Sequence, residues 1–182
     1  KVALVSAEQI AENDFALQPS KYILSEEEKS IEKILTERGC IALTDLVEII
    51  RPLSVPKNQS GTTVLEAMVA DIKSSGELGM PRKEIVVSEE FLTRSRSSLL
   101  QPGDLLMSMK GTLGKVGLVT NMQEKVLPGQ SFCVLRMREN APMTAETLLQ
   151  FLRSKLGQKL IQQNEQGGTV PFLQITAIRS LR

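Results

Sequence analysis

The sequence predicts an α+β chain: a small twisted β-sheet or partly closed barrel, with an N-terminal helical lead-in and a long C-terminal helix. Three observations point there. Short β-branched or alternating runs, bounded by Gly, Pro, Asn and Ser, recur through the middle of the chain, as brief strands joined by turns do. Helical periodicity gathers at the two ends instead of alternating with the strands, which argues against a doubly wound sheet. The longest apolar stripe at spacings of three and four falls late, over residues 144–164. With 182 residues the chain has length for one ordinary domain, or one with an appendage, around a real core.

The elements follow in order. Residues 2–5 are a short apolar run, and Ser6 and Gln9 stand at capping-box spacing for a short helix through Glu12. Asn13-Asp14 breaks it, and residues 15–23, with Pro19 inside, read as an extended linker. Ser25 followed by three glutamates starts a second helix, because the serine caps and the acids suit the positive end of the dipole. Ile31, Ile34 and Leu35 give it an apolar face, and Gly39 stops it. Residues 40–50 suggest a short strand or turn leading into one helical turn, closed by Arg51-Pro52. The stretch 52–61, PLSVPKNQSG, is an exposed loop. Strands are expected over 62–68 and 84–87, with loop over 71–80, and Glu89-Glu90 open a short helix. Arg94 and Arg96 then lie among hydroxyls in either a solvated connection or a cationic face fit for a phosphodiester backbone.

Residues 99–120, LLQPGDLLMSMKGTLGKVGLVT, read as a β-hairpin. Its tip carries Lys110, Thr112 and Lys115 beside Gly111 and Gly114, so amides, a hydroxyl and two cations can face an anion such as a phosphate. The plain alternative is a glycine-permitted turn with incidental lysines. Residues 121–129 read as loop. Residues 132–137 read as a strand whose first half is apolar on both faces, hence central. Thr144 caps the long helix, Leu148, Leu149, Phe151, Leu152, Leu156, Leu160 and Ile161 mark its apolar side, and a run to Asn164 is about 30 Å long. Gly157 either weakens it by about 1 kcal/mol relative to alanine or lets another helix approach closely. Gly167-Gly168 end it, and 169–175 return as a strand.

Composition narrows the chemistry. There is no histidine, which removes Ser-His-Asp and Cys-His nucleophiles and an imidazole base. Cys40 and Cys133 stand apart in apolar surroundings and read as buried free thiols of a reducing cytoplasm. No apolar run approaches the ~20 residues that span a bilayer, so a soluble cytoplasmic chain with no membrane partner is expected. Both ends look cut from something longer. Residues 1–50 hold five Lys/Arg against ten Asp/Glu and residues 51–182 hold seventeen against eleven. That asymmetry makes an acidic lead-in and a basic body open to nucleic acid. No phosphate-binding glycine loop of either common spacing is present. Ser108 and Lys110 alternate on one strand face and raise a Ser-Lys dyad, whose lysine has to be buried and neutral to act as base.

Five segments in order then resemble the target recognition domain of type I restriction-modification specificity subunits. These are residues 100–106 (LQPGDLL), 110–117 (KGTLGKVG), 128–130 (PGQ) ahead of the strand ending Leu135-Arg136, 149–154 (LQFLRS) and 167–171 (GGTVP). The lead-in 10–17 (IAENDFAL), with Lys21-Tyr22, resembles the segment that follows the catalytic domain of the N6-adenine methyltransferase subunits of such systems. The resemblance implies a linker and helix over 1–39, a target recognition domain over 40–142 and a dimerisation or spacer helix with returning strand over 143–182. It implies a sequence-specific double-stranded DNA recognition module fused to a methyltransferase. Its partners are then duplex DNA, a methyltransferase domain or subunit, a restriction subunit, and a second copy through the long helix. The Asn-Pro-Pro-aromatic and cofactor-loop motifs of such methyltransferases are absent, so the stretch itself carries no catalytic residue, no metal site and no cofactor. S-adenosylmethionine belongs to the parent enzyme. Candidates for DNA contact are Lys57, Lys73, Arg82, Lys83, Arg94, Arg96, Lys110, Thr112, Lys115, Gln130 and Thr169. The alternative is a protein-docking module that assembles subunits through the 144–164 helix, and a more remote one is a Ser-Lys hydrolase.

Overall fold

A computed structural model describes residues 4–12, 15, 29–30, 33, 37, 39–56, 60–166 and 171–182. The chain divides into two compact units, Lys1–Ile41 and Ala42–Arg182. In the first, helix α1 (Ala7–Glu12) opens with the expected capping box: Ser6 N donates to Gln9 Oε1 at 3.0 Å and Gln9 N to Ser6 Oγ at 3.2 Å. Lys29, Ser30, Lys33 and Glu37 are helical. Gly39 takes a φ of +73°, the left-handed conformation that ends helices. The Ser25 cap, the Ile31, Ile34 and Leu35 face and all of the 15–23 linker but Phe15 lie outside the described residues.

The second unit starts with α2 (Leu43–Leu46) running straight into β1 (Val47–Ile50), a helical turn followed by a strand and thus the reverse of the expected order. The strand forms where it does because a distant partner is there: Val47 to Ile50 pair antiparallel with Met137 to Val134. Then come β2 (Thr62–Ala67), β3 (Lys83–Val87), α3 (Glu89–Arg94), β4 (Leu105–Ser108), β5 (Val116–Leu118), β6 (Val126–Pro128) and β7 (Phe132–Met137). The described strands make two open sheets and no closed barrel. One has order β1-β7-β4-β5, the other β3-β2-β6. β7 is central, as its two apolar faces require, with β1 on one side and β4 on the other. β6 falls in the stretch expected to be loop. It pairs parallel with β2, and its terminal Pro128, which has no N–H to donate, suits the edge position it holds.

The core lies between the sheets. Ile50, Ala67, Leu106, Val126, Phe132 and Val134 meet there with Ile72, Leu78, Leu100 and Val119. A smaller cluster of Val64, Val87 and Leu127 receives Phe91 and Leu92 of α3; Ser88 caps that helix through Phe91 N at 3.2 Å. Side chains alternate across a strand, so Leu105, Met107, Cys133 and Leu135, all fully buried, face away from this core. α4 (Ala145–Arg153) packs against β5.

The single long helix expected over 144–164 is two helices, α4 and α5 (Lys155–Gln163), and Phe151, expected on the apolar side, is exposed. Ser154 between them has φ −65° and ψ 162° and caps the second through Gly157 N at 3.1 Å. Gly157 does allow a close approach: a Cβ there would stand 2.2 Å from Phe151 O. The expected strand over 169–175 is not formed in its described part. Phe172 makes isolated bridges with Lys110 and Gln166, and α6 (Ile175–Arg179) is helical. The cysteines also differ from expectation, for Cys133 is buried but Cys40 is exposed. No helix among the described residues is long and apolar enough to cross a membrane.

Candidate nucleic-acid interface

The hairpin tip is built from inside by Ser108. Its hydroxyl, fully buried, donates to Thr112 O and accepts from Lys115 N at 2.9 Å. Gly111 and Gly114 take φ of +76° and +66°, which a side chain resists. With both roles of the Ser108 hydroxyl used in shaping the tip, and Lys110 exposed to water, the pair does not form the buried dyad that a Ser-Lys hydrolase needs. Lys110 and Thr112 project at the tip. Lys115 is half-buried and donates from Nζ to Val69 O at 3.0 Å.

Beside the tip is a cleft of about 290 Å³ whose polar lining is Lys73, Ser74, Lys115, Arg153 and Gln158. Each wall is tied to another. Gln158 Nε2 donates to Gly114 O at 2.9 Å and to Leu152 O at 2.7 Å. Arg153 Nη2 donates to Ser74 O, and its guanidinium lies against Gly76, where a Cβ would come within 1.7 Å of Nη1. Lys73 stands exposed, 3.6 Å from Glu77. Arg153 is absent from the sequence-derived candidates. Its signal in the sequence is a basic residue in the last turn of a helix, which also reads as a dipole partner.

The remaining candidates sort by the ends of the sheets. Lys83 at the start of β3 is opposite Glu66 at the end of β2 and pairs with that buried carboxylate; Arg82 precedes it, exposed. Gln130 follows β6 at the same end, but its amide is engaged. It donates to Leu53 O at 2.6 Å and accepts from Ser54 Oγ at 3.0 Å, so it fastens the start of the 52–61 loop. Lys73, Arg82, Lys83, Lys110, Thr112, Lys115 and Gln130, with Arg153, therefore collect where β2 ends and the hairpin turns. Arg94 and Arg96 do not join them. α3 begins beside Thr62 at the start of β2, where Thr62 Oγ1 is bonded to Glu89, and the turn that follows it is held by Arg136 Nη1, which donates to Ser97 O at 3.0 Å at the end of β7 away from the hairpin tip. Arg94 is 3.9 Å from Glu90. Lys57 and Thr169 lie outside the described residues.

No protein-family model and no curated protein matches the chain. Solved structures do. A chain from a study of complex assembly and conformational transition of the type I R-M system superposes with TM-score 0.51 at 18% identity, over 85% of this chain and 43% of that one. The type I restriction-modification S subunit from M. genitalium gives TM-score 0.48 at 14% identity, over 78% and 32%. The HsdS subunit from Thermoanaerobacter tengcongensis gives 0.48 at 17%, over 84% and 41%. This chain spans less than half the length of each, and at these identities the likeness is one of fold.

Proposed function

We propose that this chain is a sequence-specific double-stranded DNA recognition module of a type I-like restriction-modification system. The observation that carries the reading is the gathering of Lys73, Arg82, Lys110, Lys115 and Arg153 at one end of the two-sheet unit, beside Lys83 in its pair with Glu66, together with its five ordered segments of resemblance. Cations and Thr112 grip phosphates there and fix register, while side chains of the neighbouring loops read base edges in the major groove. Gln130 acts through the 52–61 loop it fastens rather than by touching a base, and Lys57 belongs to that loop.

The lead-in supports the wider reading that the parent chain is an N6-adenine DNA methyltransferase. S-adenosylmethionine is bound by that catalytic domain, and partner methyltransferase and restriction subunits complete a cytoplasmic complex. An Asn-Pro-Pro-aromatic motif in the residues ahead of Lys1, and methyl transfer to adenine by the longer chain, test that part. Docking through 144–164 is favoured less, because Leu148, Leu149, Leu152, Leu160 and Ile161 are already buried within the unit, leaving Phe151 exposed.

Selection of the full chain on a random duplex library tests the reading. One enriched sequence is expected, with each mismatch costing about 1–3 kcal/mol. No duplex binding at low salt, or equal affinity for every duplex, overturns it.

A further inference from the structure

The cleft beside the hairpin tip brings three cationic side chains, Lys73, Lys115 and Arg153, to one small space with the hydroxyl-bearing Ser74, and none of its lining residues is a carboxylate. Converging like charges repel, and the cost is greater where water is partly displaced. Internal hydrogen bonds do not use up these cations. A guanidinium has five N–H donors and an ammonium three. Arg153 gives one bond to Ser74 O and Lys115 gives one to Val69 O. The carboxylate nearest Lys73 is Glu77, at 3.6 Å and half-exposed, where pairing is weak.

The walls are built for the arginine. Gly76, at φ +94°, provides the bare backbone on which the guanidinium rests, and its turn is fixed to β5 because Leu118 N donates to Gly76 O at 2.8 Å. Gln158 locks α5 to Gly114 on the opposite side. Arg153 and Lys115 are thus held in place before any ligand arrives, which is how a site avoids ordering costs on binding. At about 290 Å³ the space is at or below the small end of pockets for whole drug-sized ligands and suits one tetrahedral oxyanion.

We infer that this cleft is an oxyanion site, anchored by Arg153 and completed by Lys115 and Lys73, which seats one phosphodiester of the duplex backbone. The oxyanion chemistry stands on the cleft alone; its assignment to DNA rests on the proposed function. A phosphate held there carries no base information. It sets the register of the hairpin tip on the duplex, so the site contributes uniformly across sequences.

Two arms separate the two claims. Inorganic phosphate titrated into the isotopically labelled full chain should give saturable amide shifts at Ser74, Gly76, Gly114 and Lys115, abolished in Arg153→Gln. Duplex affinity measured against salt should have a log-log slope smaller by about 0.9 in Arg153→Gln, and smaller by part of that amount in Lys73→Gln, with affinity lowered about tenfold by Arg153→Gln for every duplex alike. Lys73 is exposed and bonded only at the surface, so its variant keeps the test valid if Arg153→Gln unfolds. Saturable phosphate shifts without duplex binding support the oxyanion site and overturn the DNA assignment. Unsaturable shifts, or slopes unchanged in both variants while the wild type binds DNA, overturn the inference and leave the proposed function standing.

Discussion

Asp104 has both carboxylate oxygens engaged at 1% exposure. Arg136 Nε donates to Oδ1 at 2.8 Å and Nη2 to Oδ2 at 2.8 Å, while Gln101 N donates to Oδ2 at 2.8 Å. Hydrogen bonding to Asp104 pushes the Arg136 guanidinium pKa up, and the same group reaches Ser97 O and Leu99 O at 3.0 Å. One fork therefore fixes the 96–99 turn to β7. Asp104→Ala leaves that guanidinium without its partner and should destabilise by about 3 kcal/mol, read from urea unfolding; a loss below about 1 kcal/mol contradicts the role. From sequence, Pro102-Gly103-Asp104 is legible as a turn, but the partner 32 residues away is not. Cys133 makes a second case. Burial pushes its thiol from 9.0 up to about 12, so the native chain keeps a proton that the unfolded chain releases. Its contribution is whole below pH 9 and disappears as pH rises toward 12. Stability over that window should fall more steeply in the wild type than in Cys133→Ala, and parallel slopes refute the assignment.

The α4–α5 junction shows why element types are easier to read than their breaks. Leu148, Leu149, Leu152, Leu156, Leu160 and Ile161 keep helical spacing straight through residue 154, so periodicity hides the interruption. The local signals are Ser154 as a cap and Gly157 three residues on, and both also fit inside a continuous helix. The sign of one substitution separates the two structures. In an unbroken helix Gly157→Ala stabilises by about 1 kcal/mol. At a junction where the new Cβ would meet Phe151 O at 2.2 Å, it should instead destabilise by about 1–3 kcal/mol, the range for overpacking. A raised thermal midpoint contradicts the break. β6 and β1 escape a sequence reading for a different reason. Three residues ending in proline, and four preceded by a helical turn, become strands because β2 and β7 lie alongside them, and such long-range pairing has no local signature. The central β7, the hairpin, and the caps at Ser6 and Thr144 need only their own residues and are legible from them.

Across the whole second unit, the arrangement of charge matters more than its total. The sequence shows a basic body, but several of its cations are engaged internally: Lys83 with Glu66, Arg136 with Asp104, and Arg138 with Thr44 O at 2.8 Å. The sheets then divide the rest, leaving Arg94 and Arg96 at one end and the tip cluster at the other. Chain order cannot reveal that division, because Arg96 and Lys110 are close in sequence while β4 (Leu105–Ser108) runs from the end of β7 that holds Ser97 toward the hairpin tip. Duplex affinity of the full chain with two sets of charges removed addresses the central claim most directly. Lys73→Gln, Lys110→Gln, Lys115→Gln and Arg153→Gln together should weaken binding at least about a hundredfold and lower the salt slope by about 0.9 for each phosphate no longer neutralised, whereas Arg94→Gln with Arg96→Gln should change affinity by no more than about twofold. Abolished binding in the arginine pair with full affinity in the tip variant would place the DNA at the other end and contradict the account.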